Sequence, residues 1–192
     1  MTMSPQEQNI EDYKKLQADY LAEAVAMFGP TTEYTFIGIF YHNFSPRMMH
    51  HDTDFLTGER FFRIDLCGKA INDRKDGIFQ LSHEVVHLIS PVDQTEEEDE
   101  GNYLEEGMAV YFSKLITERE TGDLEFCDAA IANRPEYLEA YQLYLELIDV
   151  DVNAVKKLRD IQPIIANIKP EDFIAADLAV SEELVEALLT KF

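Results

Sequence analysis

Two histidines and a glutamate stand where one metal ion could be held against a water molecule. In Ser82-His83-Glu84-Val85-Val86-His87-Leu88-Ile89, His83 and His87 are four residues apart within an apolar run that reads as helix. A helix turns about 100° per residue, so both imidazoles leave one face a single turn apart and can converge on one ion. Glu84, beside the first of them, reaches a water on that ion without being a ligand. This is the chemistry of metal-assisted hydrolysis, in which the ion acidifies water and the carboxylate takes the proton. The bland alternative is a helix with two incidental histidines. A second segment argues against it. Eighteen residues separate His87 from Glu106, which sits in Asn102-Tyr103-Leu104-Glu105-Glu106-Gly107-Met108-Ala109-Val110-Tyr111-Phe112. Glu106 can supply the third protein ligand of a site whose fourth position stays open, as catalytic zinc requires.

His83-Glu84-x-x-His87, the eighteen-residue spacer and Glu106-Gly107-x-Ala109, with Tyr111 beyond, together resemble the gluzincin metallopeptidases. The spacing and the Glu-Gly-x-Ala context are closest to the aminopeptidase-N-like branch. The resemblance covers about residues 76–113. It implies a zincin-like two-helix core, Zn2+ on His83, His87 and Glu106, and hydrolysis of a peptide or protein substrate with Glu84 as general base. It also implies a Tyr or His from beyond the second ligand segment that steadies the oxyanion. Two features depart from the pattern. The Gly-x-Met-x-Asn segment that holds a substrate's free amine is absent, so aminopeptidase activity is not implied. Ser113 stands where the branch often carries an acid seven positions after its ligand Glu. These departures sustain a competing expectation, a zinc-binding interaction or regulatory module that has lost turnover. Glu84 speaks against it, because a purely structural site has no use for that residue.

The chain that must position these groups has 192 residues, room for one sizeable domain or a small catalytic core with a helical appendage. Its 46% hydrophobic content, with 12 Phe and 9 Tyr, is ample for a packed core. No apolar run approaches a membrane span, and the stretch Met1 to Glu7 lacks a basic segment followed by apolar residues. A cytoplasmic protein without a membrane partner is expected. Cys67 and Cys127 form no metal-type pair and are expected to be reduced thiols. The 38 acidic residues against 16 basic ones give a net charge of −22. Such a balance excludes nucleic acid as a partner and disfavours anionic membranes.

The expected fold is α+β and mostly helical: a small N-terminal sheet, a two-helix active-site core and a helical C-terminal part. Residues 1–122 would form the core region, and 123–192 a helical subdomain packed on it. Helical spacing of apolar residues predicts a first helix over 6–28, closed by Gly29-Pro30. β-Branched and aromatic runs predict strands at 32–41 and 60–67, with an irregular polar stretch at 42–59 between them. That interval is too long for a tight hairpin; antiparallel pairing of the two strands is compatible with it, in no readable register. His42, His50 and His51 fall in or beside that interval and are read as uninvolved, since neighbours on an extended chain point in opposite directions.

Asp73 or Asp76 can cap the motif helix, and Ser90-Pro91 stops it. Asn102 caps the second ligand helix with Glu105 completing a capping box, which leaves Glu106 for the metal; Thr121-Gly122 ends it. Further helices are predicted near 123–132, 135–149, 152–160, 163–168, 171–178 and 182–191, the last capped by Ser181. The stripe Tyr137-Tyr141-Tyr144 reads as core, with an oxyanion donor among its candidates. Between the ligand segments, Glu96 to Glu100 form a run of five acids that would draw basic substrate segments toward the cleft. The peptide itself is expected along the edge of strand 60–67.

Overall fold

A computed structural model describes residues 3–92 and 101–192. The acidic run 96–100 therefore lies outside the described residues. The architecture is α+β and mostly helical, with a three-stranded sheet near the N-terminus and helices after it. Helix α1 (Pro5–Phe28) starts in a capping box between Ser4 and Glu7 and buries Tyr13, Gln17, Tyr20, Ala24 and Phe28, a three-to-four-residue spacing that marks one face. That face lies on α3 (Arg74–His87). Contact is close because position 77 is glycine: a Cβ there would fall 2.0 Å from the Tyr13 hydroxyl, which donates to the Ala70 carbonyl at 2.9 Å.

The sheet differs from expectation in two respects. The polar interval contains a strand, β2 (Arg47–Thr53), between β1 (Thr35–His42) and β3 (Arg60–Cys67) in sequence. Its string Arg-Met-Met-His-His-Asp-Thr has little β-branching, and pairing with β3 rather than intrinsic preference makes it a strand. In space the order is β1-β3-β2, with β1 parallel and β2 antiparallel to β3. The pairing of the two predicted strands is therefore parallel. β3 is central and paired on both sides, so it offers no free edge to a peptide. Phe62, Ile64 and Leu66 alternate along β3 into the core, all fully buried.

A short α2 (Lys69–Asn72) leads into α3, which Asp73 caps through the N–H groups of Lys75 and Asp76. α3 ends at His87, a turn earlier than Ser90-Pro91 would set, with Leu88 and Ile89 tightening onto Val85 and Val86. Helix α4 (Tyr103–Thr121) packs on α3 and is closed by Gly122 in the left-handed conformation, φ 69°. Then come α5 (Leu124–Ala132), α6 (Pro135–Val150), α7 (Ala154–Ile161), a 3-10 turn (Ile165–Asn167), α8 (Pro170–Ala175) and α9 (Glu182–Leu189). One hydrophobic core joins α1, the sheet, α3 and α4 to Tyr144, Leu147, Leu158, Phe173 and Val185 of the later helices. Among the described residues no helix is long and apolar enough to cross a membrane.

The packing of α6 on α4 is set by Gly107. A Cβ at that position would stand 2.3 Å from the Ala140 carbonyl oxygen and 2.7 Å from Tyr144 Cβ. Gly107→Ala must therefore push α6 away from the ligand helix, and overpacking of this kind costs about 2–3 kcal/mol. Denaturant unfolding should show a loss of that size. A variant within about 0.5 kcal/mol of wild type would mean the two helices separate without cost.

Candidate metal centre

His83 and His87 leave α3 on one face, as their spacing demands, and their Nε2 atoms stand 3.4 Å apart. Glu106 comes from the first turn of α4. Its Oε2 lies 3.3 Å from His83 Nε2, and its Oε1 lies 3.5 Å from His87 Nε2. Among the described residues these three form the group able to hold a metal ion, one donor atom from each within 4.8 Å of the others. All three side chains are 12–13% exposed, so the donors sit in a recess. Glu106 Oε2 is buried, with His83 Nε2 at 3.3 Å as its neighbour and no well-aligned hydrogen bond. A buried, unsatisfied carboxylate oxygen is costly unless a cation is its partner.

The neighbouring glutamate has a second role that the sequence reading missed. Asn102 does cap α4, accepting from the Glu105 N–H at 3.0 Å. The Glu105 carboxylate, however, does not turn back to complete a capping box; its Oε1 lies 3.0 Å from His87 Nδ1. It is therefore the group that fixes the His87 tautomer, protonated on Nδ1 and with Nε2 free to coordinate. The signal was the pair Glu105-Glu106 itself, two carboxylates on one helical turn. Ser113 gives the site nothing of the kind: its hydroxyl donates back to the Val110 carbonyl at 2.9 Å. The support that an acid at position 113 would bring is thus carried, for His87, by Glu105.

Glu84 is buried and faces the same recess, lining the small cleft over the ligands together with Met48, Glu106 and Tyr137. The Met48 backbone N–H on β2 faces its carboxylate and favours its charged form. The unpredicted strand thus sets a backbone donor beside Glu84. Burial holds the Glu84 carboxyl above the usual carboxylate range, against His83 and His87, which pull it down. Burial likewise works to lower His87, but Glu106 and Glu105 outweigh it and leave the ring raised to about 10. The same attraction holds Glu106 low in spite of its burial.

The tyrosine stripe divides. Tyr144 is core, edge-on to Phe28 at 6.5 Å and tilted on Tyr111 at 5.1 Å; the Lys114 ammonium lies 4.5 Å over Tyr141. Tyr137 belongs to the site, its ring centroid 5.9 Å from that of His83. Burial, with Glu106 and Glu84 adding to it, pushes the Tyr137 phenol up to about 12, so it keeps its proton at neutral pH. The histidines read as uninvolved are placed elsewhere. His42 stacks on Phe44 beside Asp65, His50 approaches Thr53 Oγ1 at 2.8 Å, and His51 lies by Arg63. Cys67 and Cys127 are free thiols. Comparison of the chain with known protein families, curated proteins and solved structures finds no match. Geometry alone must carry a functional reading.

Two outcomes follow for metal uptake, with Co(II) as a spectroscopic probe. Glu105→Gln should weaken binding about 10- to 100-fold through loss of the His87 contact, and Glu106→Gln should weaken it more. The opposite ranking would mean that α4 presents the other carboxylate to the ion. The second outcome concerns protons. With His87 raised to about 10, the metal-free ring is protonated at neutral pH and an ion must displace that proton. Binding should release about one proton and tighten as pH rises toward 10. Calorimetry in buffers of different ionisation enthalpy measures the release, and a heat independent of buffer would refute the proton competition.

Proposed function

We propose that the protein is a zinc-dependent metallopeptidase of the gluzincin type. The observation that carries this reading is the convergence of His83, His87 and Glu106, one donor atom from each within 4.8 Å of the others. Four ligands at about 2.0–2.1 Å in a tetrahedron stand roughly 3.3–3.4 Å apart. The two imidazole Nε2 atoms stand 3.4 Å apart, and the two oxygens of Glu106 each meet one ring, Oε2 at 3.3 Å from His83 Nε2 and Oε1 at 3.5 Å from His87 Nε2. Two imidazoles and one carboxylate suit zinc, and His87 at the C-terminal end of α3 places a cation where the helix dipole favours it. A structural zinc site is closed by a fourth protein ligand. Among the described residues the group has three, which favours turnover over a purely structural ion.

Zinc bound here supplies a Lewis acid that acidifies water and polarises a substrate carbonyl. The residues of the chain do the rest. Glu84, beside the Met48 N–H, takes the proton of the attacking water and returns it to the leaving amine. Tyr137, protonated and beside His83, donates to the oxygen that gains charge. An extended peptide lies along the outer edge of β2, the strand nearest the recess, in place of the edge of β3. A cavity of about 400 Å³ opens beside His83 and Glu84, walled by Phe79, Val110, Phe126 and Ile131; it receives an apolar substrate side chain. Its charges are mixed, Lys69 and Arg134 with Asp76, so a preference for basic segments rests on the acidic run alone.

Two variants of the zinc-loaded protein divide the roles. Glu84→Gln should keep zinc at one per chain and lower peptide hydrolysis by at least about a hundredfold. Tyr137→Phe should lower kcat by roughly a hundredfold with KM little changed. Equal cleavage by wild type and Glu84→Gln would sink the peptidase reading and leave a zinc-binding module.

A further inference from the structure

The last three residues of the chain run beside the start of the second ligand helix. Tyr103 N–H donates to the Thr190 carbonyl at 3.1 Å, and Phe192 N–H donates to the Gly101 carbonyl at 2.9 Å. Between these bonds Asn102 and Lys191 form an antiparallel bridge. The short ribbon lies against the site itself: a Cβ added to Gly101 would meet Glu105 Oε2 at 3.4 Å and Glu106 Oε1 at 3.9 Å.

Phe192 extends this contact to the other wall of the cleft. Its ring packs edge-on against Tyr103 at 5.2 Å and against Tyr137 at 4.8 Å between centroids. Tyr137 in turn meets His83. A row of rings thus joins the start of α4, the C-terminal segment, α6 and the ligand helix α3. Tyr137 needs such a support. It lies in the first turn of α6, after Pro135, where its N–H is held by the Arg134 carbonyl at 3.1 Å, so the freedom left to it is that of the side chain. The Arg134 guanidinium lies 5.4 Å from its ring centroid, and a long, exposed arginine is a poor restraint beside a packed ring.

We propose that Phe192 is a positioning residue for the metal centre: pinned to Gly101 by its backbone, it fixes the Tyr137 ring and so sets where the phenol hydroxyl stands over the ligands. What that hydroxyl does there rests on the metallopeptidase reading; the positioning does not. Removing the ring leaves the zinc ligands in place and frees Tyr137 to swing. The hydroxyl of a mobile Tyr137 spends less time where charge develops, so kcat falls while substrate contacts along β2 persist.

The test uses the full chain, loaded with zinc and labelled with 3-fluorotyrosine, the Tyr137 resonance being assigned by its loss in Tyr137→Phe. Phe192→Ala should keep zinc at one per chain, shift and broaden the Tyr137 fluorine signal, and lower kcat about tenfold or more with KM little changed. Phe192→Tyr should restore both readouts. In the Tyr137→Phe background, Phe192→Ala should cost no further kcat, because the two residues act as one unit. An unmoved Tyr137 resonance in Phe192→Ala would overturn the proposal, as would an equal kcat loss with and without the Tyr137 hydroxyl. Should wild type hydrolyse no peptide while the resonance still moves, the peptidase reading fails and the positioning role stands.

Discussion

Two imidazoles and a carboxylate, groups that each prefer water, meet within 3.5 Å of one another in a recess that is nine-tenths closed. Without a cation the acids around His87 favour its protonated form, and Glu106 Oε2 is buried with only the His83 ring 3.3 Å away to meet it. With a divalent ion both problems are solved at once, since each donor atom gains a partner. The rest of the fold answers to that convergence. α3 and α4 must approach closely enough for Glu106 to face both histidines. Gly107, next in the chain, lets α6 close on α4 and bring Tyr137 to the opening. β2 sets the Met48 N–H beside Glu84.

The site was legible to different depths. His83 and His87 could be read directly, because a four-residue spacing on a helix fixes a shared face whatever surrounds it; Glu106, on another helix, was reached through the eighteen-residue spacer of the gluzincin resemblance. Glu105 was half read: its backbone role at the Asn102 cap follows from local rules, whereas its carboxylate partner lies eighteen positions back on another helix. β2 was not legible at all. Its residues have no strand signature, and it exists because β3 offers a partner edge, a tertiary effect that local propensity does not carry. The same blindness hid the parallel pairing of β1 with β3, since strand direction is settled by the route of the connection. Helix bounds in the C-terminal half were readable from their caps, Pro135 and Ser181 among them, but which tyrosine of the stripe would face the site was not. That choice depends on how α6 is rotated against α4, which it meets closely at Gly107 and Ala140.

Residues 190–192 join two walls of the recess around the metal-binding group. They contribute two backbone hydrogen bonds and one aromatic ring, yet they touch the start of α4 and the tyrosine of α6 together. The net charge of −22 is a separate matter from the local balance at the ligands, where acids and imidazoles compensate. A cation enters a protein whose overall field already attracts it, and the same field repels acidic chains.

The central claim is that one zinc ion sits on His83, His87 and Glu106 with an open fourth position. X-ray absorption at the zinc edge, on protein purified without added metal, tests it most directly. The account predicts about four nitrogen or oxygen neighbours at roughly 2.0–2.1 Å with the outer-shell scattering of two imidazoles. Sulfur scattering near 2.3 Å, placing the ion on Cys67 or Cys127, or a spectrum without imidazole, would contradict it.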